Sequence, residues 1–536
     1  MRAKHQAALL GAILALSITS GPLNASAASG DAKPADLQWD VAAAQIPSDC
    51  DRELVAAKGR YDRVLAERGR SFELTVVPLA EADQDVRDRL AADTFLRQVA
   101  VDPAVRRAAT ACQVRVSAFF AEQRARPEVY AALAAAQAGK TAKSDADKRL
   151  VDDYVTLSRR SGAGLGPSER REFIALSKRL SEDGTNFSRN LAEDDTTIPL
   201  GVDRTAGLSP EFLATLKRAD AGYVLPVNES TAAVVMRYAR EPEVRKAFYF
   251  AYERRAGEKN IEILRDAVAT RDRMAHLLGY PTWAAFAIAD RMAKTPARVD
   301  AFLETLRAAL LPRSRQEIAR LAGLKAADLG QPGATIEPWD WRYYDQMLQR
   351  TSYAVDNDAI RRYFPAQHTI DAILNIYQKI LGVAFTKIDP ANAWAREVVR
   401  YAVRDAASGA YLGEFYLDLY PRPGKFTHFA NFQILPSRRL SDGSFRARVA
   451  VIVGNWPAPA PGRPSLLSHD DVVTFFHEFG HNMAALLSTS PYEALAGYKR
   501  DFVEAPSQML ENFVWERPCS KRSARTSIRG RRSPTI

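Results

Sequence analysis

Apolar side chains recur every three to four residues along most of this 536-residue chain, the spacing that gives a helix one buried stripe. On that basis Asp51–Arg68, Glu81–Val99, Pro103–Arg126, Asp145–Arg160, Pro167–Ala192, Asn260–Leu277 and Pro296–Ala322 read as helices. Runs rich in β-branched and aromatic residues occur only between about 397 and 453: Val398–Val403, Tyr411–Leu417, His428–Phe432 and Val449–Val453. The expected fold class is therefore mainly α, with one small β-sheet. A further helix is announced by its first turn, where Ser468 and Asp471 fit a capping box just before Val472, Val473, Phe475 and Phe476. It should continue to Leu487, since no proline intervenes before Pro491. Gly480 inside it either admits another backbone closely or is an ordinary tolerated helix glycine.

Hydrophobic residues make up 47% of the chain, enough for a sizeable core. The net charge of +10 sits almost wholly at the two ends, in residues 1–27 and 517–536. The body thus lacks the clustered basic face that a nucleic-acid partner requires. Met1-Arg2-Ala3-Lys4, the apolar stretch Ala7–Ile18 and Ala25-Ser26-Ala27 have the order of a secretory signal peptide over residues 1–27. Secretion across an inner membrane, to a periplasm in a Gram-negative cell, is the expected localisation. No other run of about 20 apolar residues occurs, so no membrane span is expected, and the mature chain is expected to be a monomer.

Three cysteines are present, Cys50, Cys112 and Cys519. Export permits a Cys50–Cys112 disulfide, and two buried thiols are the alternative. Gly162-Ala163-Gly164-Leu165-Gly166 lacks a preceding strand and reads as a linker turn. His276 and His368 lie among apolar neighbours and read as structural histidines.

The chemistry is concentrated in His477-Glu478-Phe479-Gly480-His481. Residues four apart on a helix share a face, so His477 and His481 can reach one metal ion, while Glu478 is rotated by about 100° and can serve as a base. Catalytic zinc takes three protein ligands, so a third must come from elsewhere. The segment Asp501–Phe513 offers a second helix, with Glu504 as the natural ligand. Glu511, seven residues on, either orients a ligating histidine from behind or is a solvated surface carboxylate.

These residues, with Ser465–Val472 before them and Phe502-Val503-Glu504-Ala505-Pro506-Ser507-Gln508-Met509-Leu510-Glu511 after, resemble the thimet oligopeptidase, neurolysin and oligopeptidase A family of zinc metallopeptidases. Tyr416–Lys425, Trp339–Tyr344, Asn260–Arg271 and Leu278-Gly279-Tyr280 extend the resemblance over most of residues 150–516. It implies a large helical peptidase fold around a substrate channel, with the small sheet next to the zinc site. It also implies one Zn²⁺ held by His477, His481 and Glu504, with Glu478 as general base and short peptides as substrates. By the same resemblance the strand near His428–Phe432 is the edge of the sheet, where His428, Phe429 and Ala430 would pair with the substrate backbone.

The resemblance ends at Trp515-Glu516, after which residues 517–536 carry seven basic and no acidic side chains. Relatives of this kind continue into a helical segment that contributes a substrate-binding His and Tyr residues. The expected organisation is therefore a leader (1–27), an N-terminal helical region (28–150), a catalytic region incomplete at its C-terminal end (151–516) and an aberrant basic tail (517–536). Function is expected to be zinc-dependent metalloendopeptidase activity on short peptides, the choice between endopeptidic and dipeptidyl carboxypeptidase cleavage staying open. The alternative is a truncated, weakly active or inactive metal-binding pseudoenzyme.

Overall fold

The computed structural model describes residues 37–388, 393–440, 442–460 and 462–516. The expected leader and the basic tail lie outside these residues. Among the described residues seven α-helices come first: α1 (Gln45–Ala66), α2 (Val77–Arg89), α3 (Ala91–Val99), α4 (Pro103–Arg124), α5 (Pro127–Ala138), α6 (Asp145–Arg160) and α7 (Pro167–Ala192). The helix expected over Glu81–Val99 is two helices that break at Leu90, whose φ and ψ are −102° and 15°. Neither Gly nor Pro marks that break. The redirection lets Phe95 of α3 pack edge-on against Trp39, Trp394 and Phe432, which lie on distant parts of the chain. Helix α1 begins at Gln45, earlier than its pattern indicated, and so carries Cys50. The structure joins Cys50 to Cys112 of α4 in a disulfide with Cα atoms 5.8 Å apart, which removes the two-thiol alternative.

Strands β1 (Thr197–Gly201), β2 (Lys217–Ala219) and β3 (Gly222–Pro226) form an antiparallel sheet in the order β1-β3-β2. This corrects the expectation that strands occur only between about 397 and 453. The pattern hid them because β1 contains Pro199 and β2 is exposed at every position. Leu200, Tyr223 and Leu225 of this sheet pack against Val235 and Phe248 of the next two helices, α8 (Glu229–Tyr238) and α9 (Pro242–Glu253). Helices α10 (Gly257–Leu277), α11 (Pro296–Leu329) and α12 (Trp341–Ser352) follow. The Trp339–Tyr344 segment is structural: Asp340, fully buried, receives Arg245 at 2.8 Å and Lys325 at 2.5 Å.

After α13 (Ala366–Leu381) comes the larger sheet, made of β4 (Val383–Ile388), β5 (Val399–Asp405), β6 (Tyr411–Asp418), β7 (Ala430–Leu435) and, beyond a short β8–β9 hairpin (Arg438–Arg439 with Phe445–Arg446), β10 (Arg448–Val453). Its order is β4-β5-β6-β10-β7, with β10 parallel to β6 and antiparallel to β7. The run Val449–Val453 is buried throughout because both faces of the sheet are covered, which is why it reads as continuous apolar sequence instead of alternation. Val449, Val451 and Val453 join the core with the N-terminal helices; Ile452, with Phe415 and Leu417, joins the core with α13 and α14 (His469–Leu486). At the end of β6, buried Asp418 accepts from Trp394 Nε1, Arg422 and Lys425, each at 2.7 Å.

Among the described residues strand β7 is an edge, as the resemblance implies, but it starts at Ala430 and runs to Leu435 rather than spanning His428–Phe432. Two side chains pull the preceding residues out of the ladder. His428 Nδ1 lies 3.0 Å from Glu229 Oε2 of α8, and the Phe429 ring packs on Trp456 over Gly454, where even a Cβ would meet it at 2.4 Å.

Candidate metal centre

Helix α14 starts as its sequence dictates, with Ser468 accepting from the Asp471 N–H and Asp471 accepting from the Ser468 N–H. Its apolar stripe, including Phe475, Phe476, Phe479 and Met483, is fully buried. That packing fixes the rotation of the helix and turns His477, Glu478 and His481 towards the free edge of the sheet.

The third carboxylate arrives through a close helix contact. A Cβ on Gly480 would lie 3.0 Å from Ser507 Cα, so the glycine is where α15 (Glu504–Glu511) rests on α14. This is the close backbone approach that one reading of Gly480 anticipated. Glu504 Oε2 then sits 3.0 Å from His481 Nε2 and 3.1 Å from His477 Nε2, and the two imidazole nitrogens are 3.1 Å apart. His477, His481 and Glu504 form the one group of His, Cys, Asp or Glu with metal-holding spacing found among the described residues.

The donor set fits zinc. Two imidazoles and a carboxylate are zinc-type ligands, and bonds of about 2.0–2.1 Å in tetrahedral geometry place ligand atoms about 3.3 Å apart, close to the triangle seen. Glu511 Oε1 lies 2.7 Å from His477 Nδ1, so that ring donates from Nδ1 and leaves the Nε2 lone pair facing the centre of the triangle. Glu511 touches His477 while its own side chain stays 31% exposed. Burial pushes the His481 pKa down, which favours the neutral form a ligand must adopt.

Glu478, next on the helix, brings its Oε1 to 4.0 Å from His477 Nε2. Its Oε2 accepts the backbone N–H of Asn431 on β7 at 2.8 Å. Burial raises its pKa above the usual carboxylate range, against the opposing pull of His477 and the Asn431 hydrogen bond. All four residues line a cavity of about 850 Å³ whose other walls include α2–α4, β7, Arg448 and residues between Glu493 and Tyr498. Of the three residues expected to meet substrate, Ala430 lies on the strand and lines this cavity, while His428 and Phe429 are engaged elsewhere as described above.

His276 and His368 are remote from this centre: His276 is exposed at the end of α10 with Nδ1 2.9 Å from Asp272 O, and His368 is half-buried on α13. The glycine-rich Gly162–Gly166 stretch is the turn between α6 and α7, as expected, with Gly162 at φ 89°. Sequence reasoning missed the part of Asn431, although its strand had been located. It also missed Arg448, a charged residue that opens the otherwise apolar run of β10 and lines the cavity.

A Peptidase family M3 model matches residues 235–535. The thimet-like oligopeptidase of Dictyostelium discoideum is 30% identical over 481 residues, covering 85% of this chain and 72% of that protein. Oligopeptidase A of Escherichia coli is 30% identical over 390 residues, covering 69% of this chain and 57% of the relative. Saccharolysin of Saccharomyces cerevisiae is 28% identical over 510 residues, 91% of this chain and 72% of its own. Among solved structures, PZ peptidase A with inhibitor 2 shares the fold at a TM-score of 0.53 and 13% identity, over 91% of this chain and 70% of that one. The chain belongs to peptidase family M3. It is a metallopeptidase by that membership, of mainly helical architecture, and no described helix is long and apolar enough to cross a membrane.

Proposed function

We propose that this chain is a zinc-dependent peptidase that hydrolyses short peptides, with His477, His481 and Glu504 holding one Zn²⁺ and Glu478 acting as general base. The observation that carries the reading is the 3.0–3.1 Å triangle of Nε2, Nε2 and Oε2 atoms beside a half-buried carboxylate in the same cavity. The ion's contribution there is Lewis acidity towards a peptide carbonyl and towards water. The protein supplies the rest. Glu511 fixes the His477 tautomer, and the Asn431 N–H holds Glu478 so that its other oxygen is available to take a proton from the attacking water. A carboxylate whose pKa is lifted by burial is better matched to that exchange near neutral pH than an ordinary one. The cleft between the helical layers suits an extended chain along β7 and excludes folded proteins, consistent with the oligopeptidase names of its relatives.

The test combines metal analysis with turnover of a quenched peptide. One zinc per chain, loss of turnover with a chelator, recovery with added zinc and a drop of about 10²–10⁴ in kcat for Glu478→Gln at unchanged metal content are expected. Turnover that survives both chelator and Glu478→Gln overturns the reading. Zinc bound without turnover leaves the alternative, a non-catalytic metal-binding chain.

A further inference from the structure

The cavity holds an arginine that its surroundings leave largely unused. Arg448, 5% exposed at the start of β10, makes one side-chain hydrogen bond, from Nη1 to Gln433 Oε1 at 2.9 Å. Its Nε is buried without a partner, and no carboxylate of the described residues reaches ion-pair distance. Glu493 attracts it electrostatically but is itself bonded to Arg87 at 3.1 Å, while Arg446 repels it. Arg97 of α3 lines the same cavity and makes no side-chain hydrogen bond or ion pair with a described residue. A buried guanidinium without a counter-ion is costly, and one that faces a substrate cleft is set up for an anion that arrives from outside.

The position of that anion follows from the strand. Gln433 bridges Arg448 to the centre, since its Nε2 donates to Asn431 Oδ1 at 2.6 Å, and the Asn431 N–H holds Glu478. Asn431 and Gln433 are two residues apart, about 7 Å along a strand. We infer that Arg448, with Arg97 across the cleft, binds a carboxylate of the substrate about two residues from the scissile bond, and so sets a preference for acidic peptides. This rests on the peptidase reading above. The carboxylate comes either from an Asp or Glu side chain or from the peptide's own C-terminus.

Two peptide series separate these sources: amidated peptides scanned with Glu at each position, and neutral peptides with free or amidated C-termini. For wild type, kcat/KM is expected to favour one carboxylate placement over its neutral counterpart by about 10- to 100-fold, the range of a hydrogen bond to a charged group. Arg448→Met should collapse that ratio, chiefly through KM, and Arg448→Lys should restore part of it. Whichever series shows the collapse names the source; a ratio unmoved in both overturns the inference. Binding of the same peptides, read by fluorescence anisotropy in Glu478→Gln and in its double variant with Arg448→Met, repeats the comparison without cleavage. Carboxylate-selective binding through Arg448 without hydrolysis keeps this inference and removes the peptidase reading. Hydrolysis equally indifferent to carboxylates before and after substitution does the reverse.

Discussion

Gly480 and Ser507 bring two helices so close that a single added carbon on the glycine would lie 3.0 Å from the other backbone. That contact sets where Glu504 sits relative to His477 and His481. Gly480→Ala must therefore push α15 outward, and overpacking of this kind costs about 1–3 kcal/mol. The expected outcome is a folded protein with weakened zinc affinity, read by competition with a chromophoric chelator. Wild-type affinity in the variant would show that α15 can yield without moving Glu504.

Glu511 touches His477 and not the centre itself. Glu511→Ala should lower metal affinity about 10- to 100-fold, the usual effect of removing a carboxylate behind a ligating histidine. Thermal melting in the presence and absence of zinc separates this from a general loss of stability, because only the zinc-dependent increment should shrink.

Asp418 neutralises two cations that have almost no water around them, Arg422 and Lys425. Asp418→Asn leaves Lys425 without a carboxylate and Arg422 with only Glu397 at 3.3 Å, and is expected to destabilise the fold by about 3–5 kcal/mol in a denaturant titration. Burial alone would raise the Asp418 pKa, but Arg422 and Lys425 outweigh it and hold the carboxyl below the usual range. A depressed pKa stabilises the fold above the ordinary carboxylate value of about 3.9, and that contribution disappears as pH falls through the folded-state pKa. Melting temperature should thus fall more steeply below about pH 4 in wild type than in Asp418→Asn; parallel curves would refute the assignment.

The Cys50–Cys112 bridge closes a loop of 62 residues within the N-terminal helices. Chain-entropy arguments put its contribution at about 4 kcal/mol. Reduction, or Cys50→Ser with Cys112→Ser, should lower the denaturation midpoint accordingly, and an unchanged midpoint would mean that α1 and α4 are held by packing alone.

Much of the candidate centre was readable from the sequence because three of its four residues are local. His477, Glu478 and His481 occupy one helical turn, and a capping box, now seen in place, fixes where that helix starts. The five-stranded sheet was legible too, apart from β4 and the exact start of β7, since a strand buried on both faces leaves an unbroken apolar run. What escaped notice depends on partners far away in the chain. The break at Leu90 goes with the packing of Phe95 on Trp39, Trp394 and Phe432, and the strands β1–β3 are stabilised by a small core of their own instead of by β-rich sequence. Arg448 was invisible as a cleft residue because one charged side chain at a strand end says nothing about what lies opposite.

Strand β7 leaves one flank of its ladder without a partner strand. In most proteins such a flank is a standing hazard, since two molecules can zip together along it. Here Ala430–Ile434 of the strand line a cavity walled by residues of α2–α4 and α14, which narrows the approach of a second folded copy. Under the proposed function the recess that would take a single extended visitor is also what would keep two copies from pairing along that ladder, one piece of architecture answering both demands.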